Sequence, residues 1–129
     1  MVLADASVWV RGLRLAEPYA SGLDQLMRFE QVARHDLVFG ELLMGDRGGR
    51  REFLTTYAKC IPARTVPHFE VIEFVRARKL YGRGVGWIDV HLLASALSED
   101  FQLWTTDQRL DALAKELGAA YRPLAIKAQ

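Results

Sequence analysis

Four acidic residues stand where solubility alone does not explain an acid: Asp5, Glu41, Asp89 and Asp107. Asp5 follows the apolar run Val2-Leu3-Ala4, and Asp107 follows Phe101-Gln102-Leu103-Trp104-Thr105-Thr106. Each therefore sits at the carboxyl end of a strand candidate and before a helix, where a carboxylate either caps the helix or faces a ligand. Asp89 lies in the first turn of a helix that is apolar on nearly every side from Ile88 to Leu97 and is led in by Gly82-Arg83-Gly84-Val85-Gly86. A helix apolar all round belongs in an interior, and an unpaired buried carboxylate is costly unless a cation or strong donors meet it. Glu41 shares a helical face with Leu37, Val38 and Met44. It interrupts an apolar stripe, and capping does not explain it.

If these four acids meet in one pocket, they repel one another and shift one another's pKa values unless a divalent cation neutralises them. Hard oxygen ligands of this kind suit Mg2+ or Mn2+. Other chemistries find less support. The glycines at 82, 84 and 86 begin like a dinucleotide loop, but the third glycine of GxGxxG would fall at Trp87, and no GK[ST] is present. His35, His68 and His91 lack the spacing of a zinc protease helix, and Cys60, the one cysteine, has no nucleophile signature around it. A phosphoaspartate enzyme would carry a second acid close behind Asp5, where this chain has Ser7.

The elements that must position these acids alternate between short buried strands and helices. Strands are predicted at Val2-Leu3-Ala4, around Gln31 to Ala33, at Phe101 to Thr105 and at Ala119-Ala120-Tyr121. Helices are predicted after Asp5, from Tyr19 to Phe29, after an Asp36 cap to Met44, from Glu52 to Ala58, after Pro67, from Ile88 to Leu97 and after Asp107. Such alternation indicates an α/β fold with a mainly parallel sheet wrapped by helices. The carboxyl ends of its strands lie along one edge, so Asp5 and Asp107 are expected as neighbours there.

The 129 residues fit one domain, expected to span 1–129. No run of 18 or more apolar residues and no signal-peptide pattern is present, so no membrane association is expected, and a cytoplasmic setting suits a chain with one cysteine. With 17 basic against 16 acidic residues there is no global pull toward nucleic acid. Any polyanion site must be local. Two basic clusters, one at Arg47, Arg50 and Arg51 and one at Arg76, Arg78, Lys79 and Arg83, flank the carboxylate-bearing segments, an arrangement that suits a phosphate backbone.

Four stretches carry a resemblance: Val-Leu-Ala-Asp-Ala-Ser-Val-Trp at the start, Phe-Gly-Glu-Leu-Leu-Met-Gly around Glu41, Gly-Val-Gly-Trp-Ile-Asp-Val-His-Leu-Leu-Ala-Ser-Ala-Leu around Asp89, and Leu-Trp-Thr-Thr-Asp-Gln-Arg-Leu around Asp107. In this order and at these separations they resemble the motifs of the PIN-domain nucleases, and more narrowly of the VapC-type toxins of toxin-antitoxin pairs. The resemblance runs from about residue 2 to residue 121. It implies a three-layer α/β/α sandwich with a mainly parallel central sheet, and a Mg2+- or Mn2+-dependent endoribonuclease. It also implies an acidic quartet of Asp5, Glu41, Asp89 and Asp107, with Ser7 and Thr105 as hydroxyls that orient carboxylates or waters. RNA as substrate, a cognate small antitoxin as partner, a homodimer and a toxin-antitoxin hetero-oligomer are likewise implied. Many relatives place a further acid or amide just after the last aspartate. Here Gln108 and Arg109 follow, which leaves one ion or two as alternatives.

In the chemistry expected of such a site, a cation held chiefly by Asp5 and Asp89, with Glu41 nearby, provides a nucleophile for phosphodiester hydrolysis. Arg11, Arg50 and Arg83 are the basic residues expected to steer the RNA backbone. Two alternatives stand beside this reading: a metal-free RNA- or protein-binding module of the same fold, and a metal nuclease that processes DNA.

Overall fold

The computed structural model describes residues 1–123, so residues 124–129 of the expected domain lie outside the described part. Its elements follow in the order β1 (Val2–Ala4), α1 (Ala6–Leu13), α2 (Tyr19–Arg28), β2 (Val32–Arg34), α3 (Asp36–Met44), α4 (Arg51–Tyr57), β3 (Ile61–Pro62), α5 (His68–Arg78), α6 (Trp87–Glu99), β4 (Gln102–Trp104) and α7 (Gln108–Glu116). The strands form one sheet in the order β3-β2-β1-β4, and every pairing is parallel. This is the α/β architecture expected from the alternation of elements. None of the described helices is long and apolar enough to cross a membrane.

The strands are short but wholly buried where they meet helices on both faces: Leu3, Ala4, Ala33 and Leu103 have no exposed surface. Such strands read as continuous apolar runs instead of alternating ones. Against them pack Val38 and Leu42 of α3, Leu92, Leu93 and Ala96 of α6, and Leu110 and Leu113 of α7, all buried. Trp9 joins this core edge-on to Tyr57, with ring centroids 5.3 Å apart.

The order of strands fixes where a ligand can enter. The chain moves from β1 to β2 on one side and returns to β4 on the other, so the winding direction switches between β1 and β4. Helices diverge at such a switch and leave a crevice beyond the strand carboxyl ends. Asp5 follows β1 and Thr105 follows β4, so both residues stand at this crevice.

Several local features differ from the sequence expectation. β3 is a two-residue, exposed strand ending in proline, formed because Ala33 and Arg34 pair with Ile61 and Pro62 at the sheet edge. Ala119–Tyr121 contributes an isolated bridge to Leu103 instead of a strand. The cap of α3 is His35 and not Asp36: the imidazole Nδ1 accepts from the Leu37 N–H at 3.0 Å, while Asp36 opens the first turn.

His35 is also a structural junction. Its backbone N–H donates to the Tyr57 hydroxyl at 2.9 Å, and its Nε2 lies 2.9 Å from Ser95 Oγ of α6. Because Nδ1 accepts, Nε2 carries the proton and donates to Ser95. Burial, more than any neighbouring charge, pushes the His35 pKa below its ordinary value. The folded state therefore disfavours the imidazolium, and stability present above the unfolded-state pKa of about 6.5 is lost as pH falls below it. Replacing His35→Asn keeps an acceptor for the cap and removes the titration. Urea unfolding of the two proteins should show the stability advantage of the native chain over the variant shrinking by up to about 1.4 kcal/mol between pH 6.5 and 5.5. An advantage that does not change with pH contradicts this role of His35.

Candidate active site

Asp5 is buried, with 5% of its surface exposed, and its carboxylate is held from both sides. One oxygen, Oδ1, accepts the Val8 N–H at 3.1 Å, which makes Asp5 the cap of α1, and also the Ser7 hydroxyl at 2.5 Å. The other oxygen accepts the Thr105 hydroxyl from the loop after β4. The network extends outward: Thr106 Oγ1 donates to Ser7 at 2.8 Å, and the Asp107 N–H donates to Thr105 Oγ1 at 3.0 Å. Hydroxyl groups thus lace the two strand ends together around one carboxylate. Ser7 and Thr105 both donate to Asp5, and Thr106, which donates to Ser7, is an addition from the structure. Its signal in the sequence is faint, because a surface threonine before a capping aspartate is ordinary.

Asp107 caps α7, with Oδ1 accepting from Arg109 N–H at 2.9 Å and Leu110 N–H at 3.0 Å. Asp89 is not a cap. The cap position of α6 is Gly86, without a side-chain hydrogen bond, and Asp89 is the third residue of the helix. Its Oδ2 folds back toward the helix start, 3.6 Å from where a Cβ on Gly86 would stand. There the backbone N–H groups and helix dipole favour negative charge.

Glu41 differs from its sequence expectation. Val38 and Leu42 are buried, but Glu41 is exposed, and Met44, its neighbour one turn on, has 86% of its surface exposed. The stripe divides along the helix: Leu37 and Val38 pack into the core, while Glu41 and Met44 line a cleft. Likewise Trp87 and Ile88 at the start of α6 are exposed, and full burial begins only at Val90.

The carboxylates feel one another. Burial pushes the Asp89 carboxyl up to about 6, helped by the charges of Asp5, Asp107 and Glu41 in that order. Glu41, though exposed overall, has its carboxyl partly withdrawn from solvent, which raises it above the ordinary carboxylate range, and the charge on Asp5 adds to it. Asp5, Asp107 and Glu41 thus lie near enough to Asp89 for their charges to act on it, and none of the four is offset by an ion pair among the described residues.

The basic residues expected from the sequence are less concentrated. Arg50 lies in a cleft of about 590 Å³ beside Glu41. Arg11 instead sits over the Tyr19 ring, 5.3 Å from its centroid, and donates to the Tyr19 hydroxyl. Arg83 pairs with Glu116 of α7. A second cleft of about 290 Å³, between α2 and the Tyr121–Pro123 segment, contains none of the four acids.

No three histidine, cysteine or carboxylate side chains among the described residues form a ready-made set of ligands for one ion. The donor chemistry nevertheless fits a hydrated cation. Mg2+ keeps several waters and uses one or two carboxylates instead of a closed protein cage. Asp5 offers a carboxylate already aimed by its donors, and Asp89 offers one whose charge has no other compensation.

A parallel α/β sheet with an acidic crevice at its switch point defines a class of protein, and comparisons with known proteins place the chain within it. The PIN domain family model matches residues 2–116. The chain is 39% identical over 121 residues to Ribonuclease VapC32 of Mycobacterium tuberculosis, in both strain CDC 1551 / Oshkosh and strain ATCC 25618 / H37Rv. That match covers 93% of this chain and 95% of the relative. The crystal structure of PAE2754 from Pyrobaculum aerophilum superposes with a TM-score of 0.63 at 20% identity, covering 93% of this chain and 87% of that one, a likeness of fold. The chain belongs to the PIN-domain family, among its VapC-type members.

The raised Asp89 pKa has a consequence for stability. An acid whose folded pKa lies above its unfolded value of about 3.9 binds protons more tightly when folded, so it favours folding as pH falls from about 6 toward 4 and opposes it above. Asp89→Asn should accordingly stabilise the metal-free protein at pH 8, by roughly 1–2 kcal/mol once solvent screening of a half-buried group is allowed for. Thermal unfolding in chelator checks this, and a variant less stable than the native chain at pH 8 would contradict the cost of burying this charge beside the other acids.

Proposed function

We propose that the chain is a divalent-metal-dependent endoribonuclease that works as the toxin of a toxin-antitoxin pair, hydrolysing RNA phosphodiester bonds. The observation that carries this reading is the group of four neighbouring carboxylates, none in an ion pair among the described residues, with one of them fixed by two hydroxyls. The 39% identity to Ribonuclease VapC32 supports RNA as the substrate. On the same reading the whole chain acts as one nuclease domain, in the cytoplasm, as a homodimer neutralised by a small cognate antitoxin or held with it in a hetero-oligomer.

Asp5 and Asp89 would be the main ligands of a Mg2+ or Mn2+ ion, with Glu41 and Asp107 flanking it. When bound, such an ion neutralises charge on the phosphate and supplies a nucleophile near neutral pH. The protein's own part is orientation. Ser7 and Thr105 fix both oxygens of Asp5, so this carboxylate needs no rearrangement when its charge is used. Asp107 uses Oδ1 for the cap of α7 and keeps Oδ2 available to the site. Asp89, with its carboxyl pushed up to about 6, is protonated below that pH and then cannot hold a cation.

Incubated with total RNA and Mg2+ or Mn2+, the purified chain should cut it, with activity rising through about pH 6 and disappearing in excess chelator. Asp5→Asn, Glu41→Gln and Asp89→Asn should each lower the rate at least about 100-fold. Ser7→Ala and Thr105→Val should lower it about 10- to 100-fold, as expected for residues that act through a ligand. RNA binding without any cutting, at high Mn2+, would instead favour a metal-free binding module of the same fold.

A further inference from the structure

The cleft beside Glu41 contains an arginine group that the carboxylate chemistry does not use. It lies between the end of α1 and the turn from α3 to α4, and Arg14, Glu41, Met44, Arg47, Gly48 and Arg50 line it. Glu41 belongs both to this cleft and to the acidic group around Asp5 and Asp89, so the two are continuous.

From this placement we infer that the cleft is a phosphate-binding subsite, which takes a backbone phosphate of the RNA away from the scissile bond. The inference rests on the ribonuclease reading, because only a polymeric substrate presents one phosphate to the carboxylates and another to the arginines.

Charge supports the assignment. Arg28, Arg34, Arg64, Arg83 and Arg122 each pair with an acid, whereas Arg14, Arg47 and Arg50 form no ion pair among the described residues. Three guanidinium groups around one concave surface, with a single carboxylate at its acidic end, leave an excess of positive charge there. Arginine presents a planar fork of donors that matches a phosphate.

Geometry supports it too. Arg50 donates through one terminal nitrogen to the Leu42 carbonyl at the end of α3, at 2.9 Å, which leaves its other donors for a ligand. The same nitrogen stands 3.1 Å from where a Cβ on Gly45 would be, so the guanidinium lies closely over that glycine. Arg14 follows Val10 by one helical turn, and both face the cleft. Gly48 and Gly49 turn the chain back with φ of +116° and +98°, a conformation that keeps Arg47 and Arg50 on the same cleft. Asp46, the acid in this turn, is engaged by the Gly48 N–H at 2.8 Å and is not among the lining residues. A volume of about 590 Å³ accommodates a nucleotide-sized group.

Binding to a nuclease-inactive background separates this inference from the activity. A fluorescein-labelled single-stranded RNA of about 20 nucleotides should bind Asp89→Asn protein with a log-log salt dependence set by the number of phosphates neutralised. Adding Arg14→Ala and Arg47→Ala together should weaken binding about 10-fold or more at about 100 mM salt and lower the salt slope by about 0.7 for each phosphate that is no longer neutralised. Adding Arg28→Ala and Arg64→Ala together, the same removal of two charges at exposed side chains away from the cleft, should leave both within about 2-fold. In the Asp89-containing protein the double arginine variant should raise KM and leave kcat and Mn2+ affinity unchanged. Thermal unfolding confirms that each variant folds. An unchanged affinity and salt slope in the double arginine variant overturns the subsite, whether or not the native chain cuts RNA. Arginine-dependent binding with no cutting by the native chain upholds the subsite and overturns the nuclease reading alone.

Discussion

The hydrogen bond between Thr105 and Asp5 joins two strand ends whose residues are a hundred positions apart, and the rest of the site depends on it. It ties the loops after the paired strands β1 and β4 together and fixes a carboxylate that is itself buried. A buried carboxylate requires donors, and the Ser7 hydroxyl, the Thr105 hydroxyl and the Val8 N–H meet that requirement. With its orientation settled by these donors, Asp5 can act on Asp89 and Glu41 as a fixed charge. The strain of that arrangement falls on Asp89, which has no comparable donors and whose carboxyl is held well above its ordinary range.

The fold and the site follow from one choice of strand order. Placing β1 between β2 and β4 creates the switch point, and the loops that follow β1 and β4 meet there. Those loops serve two ends at once. Asp5 and Asp107 cap α1 and α7, so the same residues that start helices also carry charge into the crevice. Asp89 enters from a third direction, on a helix whose next two turns, Val90 to Ala96, are core. Stability and function compete most at this residue, as is common where like charges are gathered for use.

Much of this is legible in the chain because the signals are local. A strand followed by an aspartate and a helix reads directly from Val2 to Ser7 and from Leu103 to Arg109, and both aspartates occupy the expected cap positions. Parallel order is legible from the alternation of elements. Glu41 is only half legible: its isolation in an apolar stripe is visible, but the stripe passes from core at Val38 to an exposed cleft at Glu41 and Met44 within two turns. The strand at Ile61 and Pro62 is not legible, since two exposed residues carry no periodicity and are made a strand by their neighbour β2. The His35 cap is hidden by Asp36 next to it, an equally good capping residue one position away. Which arginines share a cleft depends on how α1 meets α3, a long-range packing that spacing along the chain does not encode.

Central to the proposed function is a cation held chiefly by Asp5 and Asp89, with Glu41 and Asp107 flanking it. Calorimetric titration of the chain with Mn2+ in buffers of different ionisation enthalpy tests it most directly, because it reads binding and proton release together. Binding should be accompanied by release of a substantial fraction of a proton near pH 6, where Asp89 is partly protonated, falling to almost none at pH 8, and should be strongly weakened in Asp89→Asn. No Mn2+ binding at either pH, or binding that Asp89→Asn leaves unchanged, would contradict it.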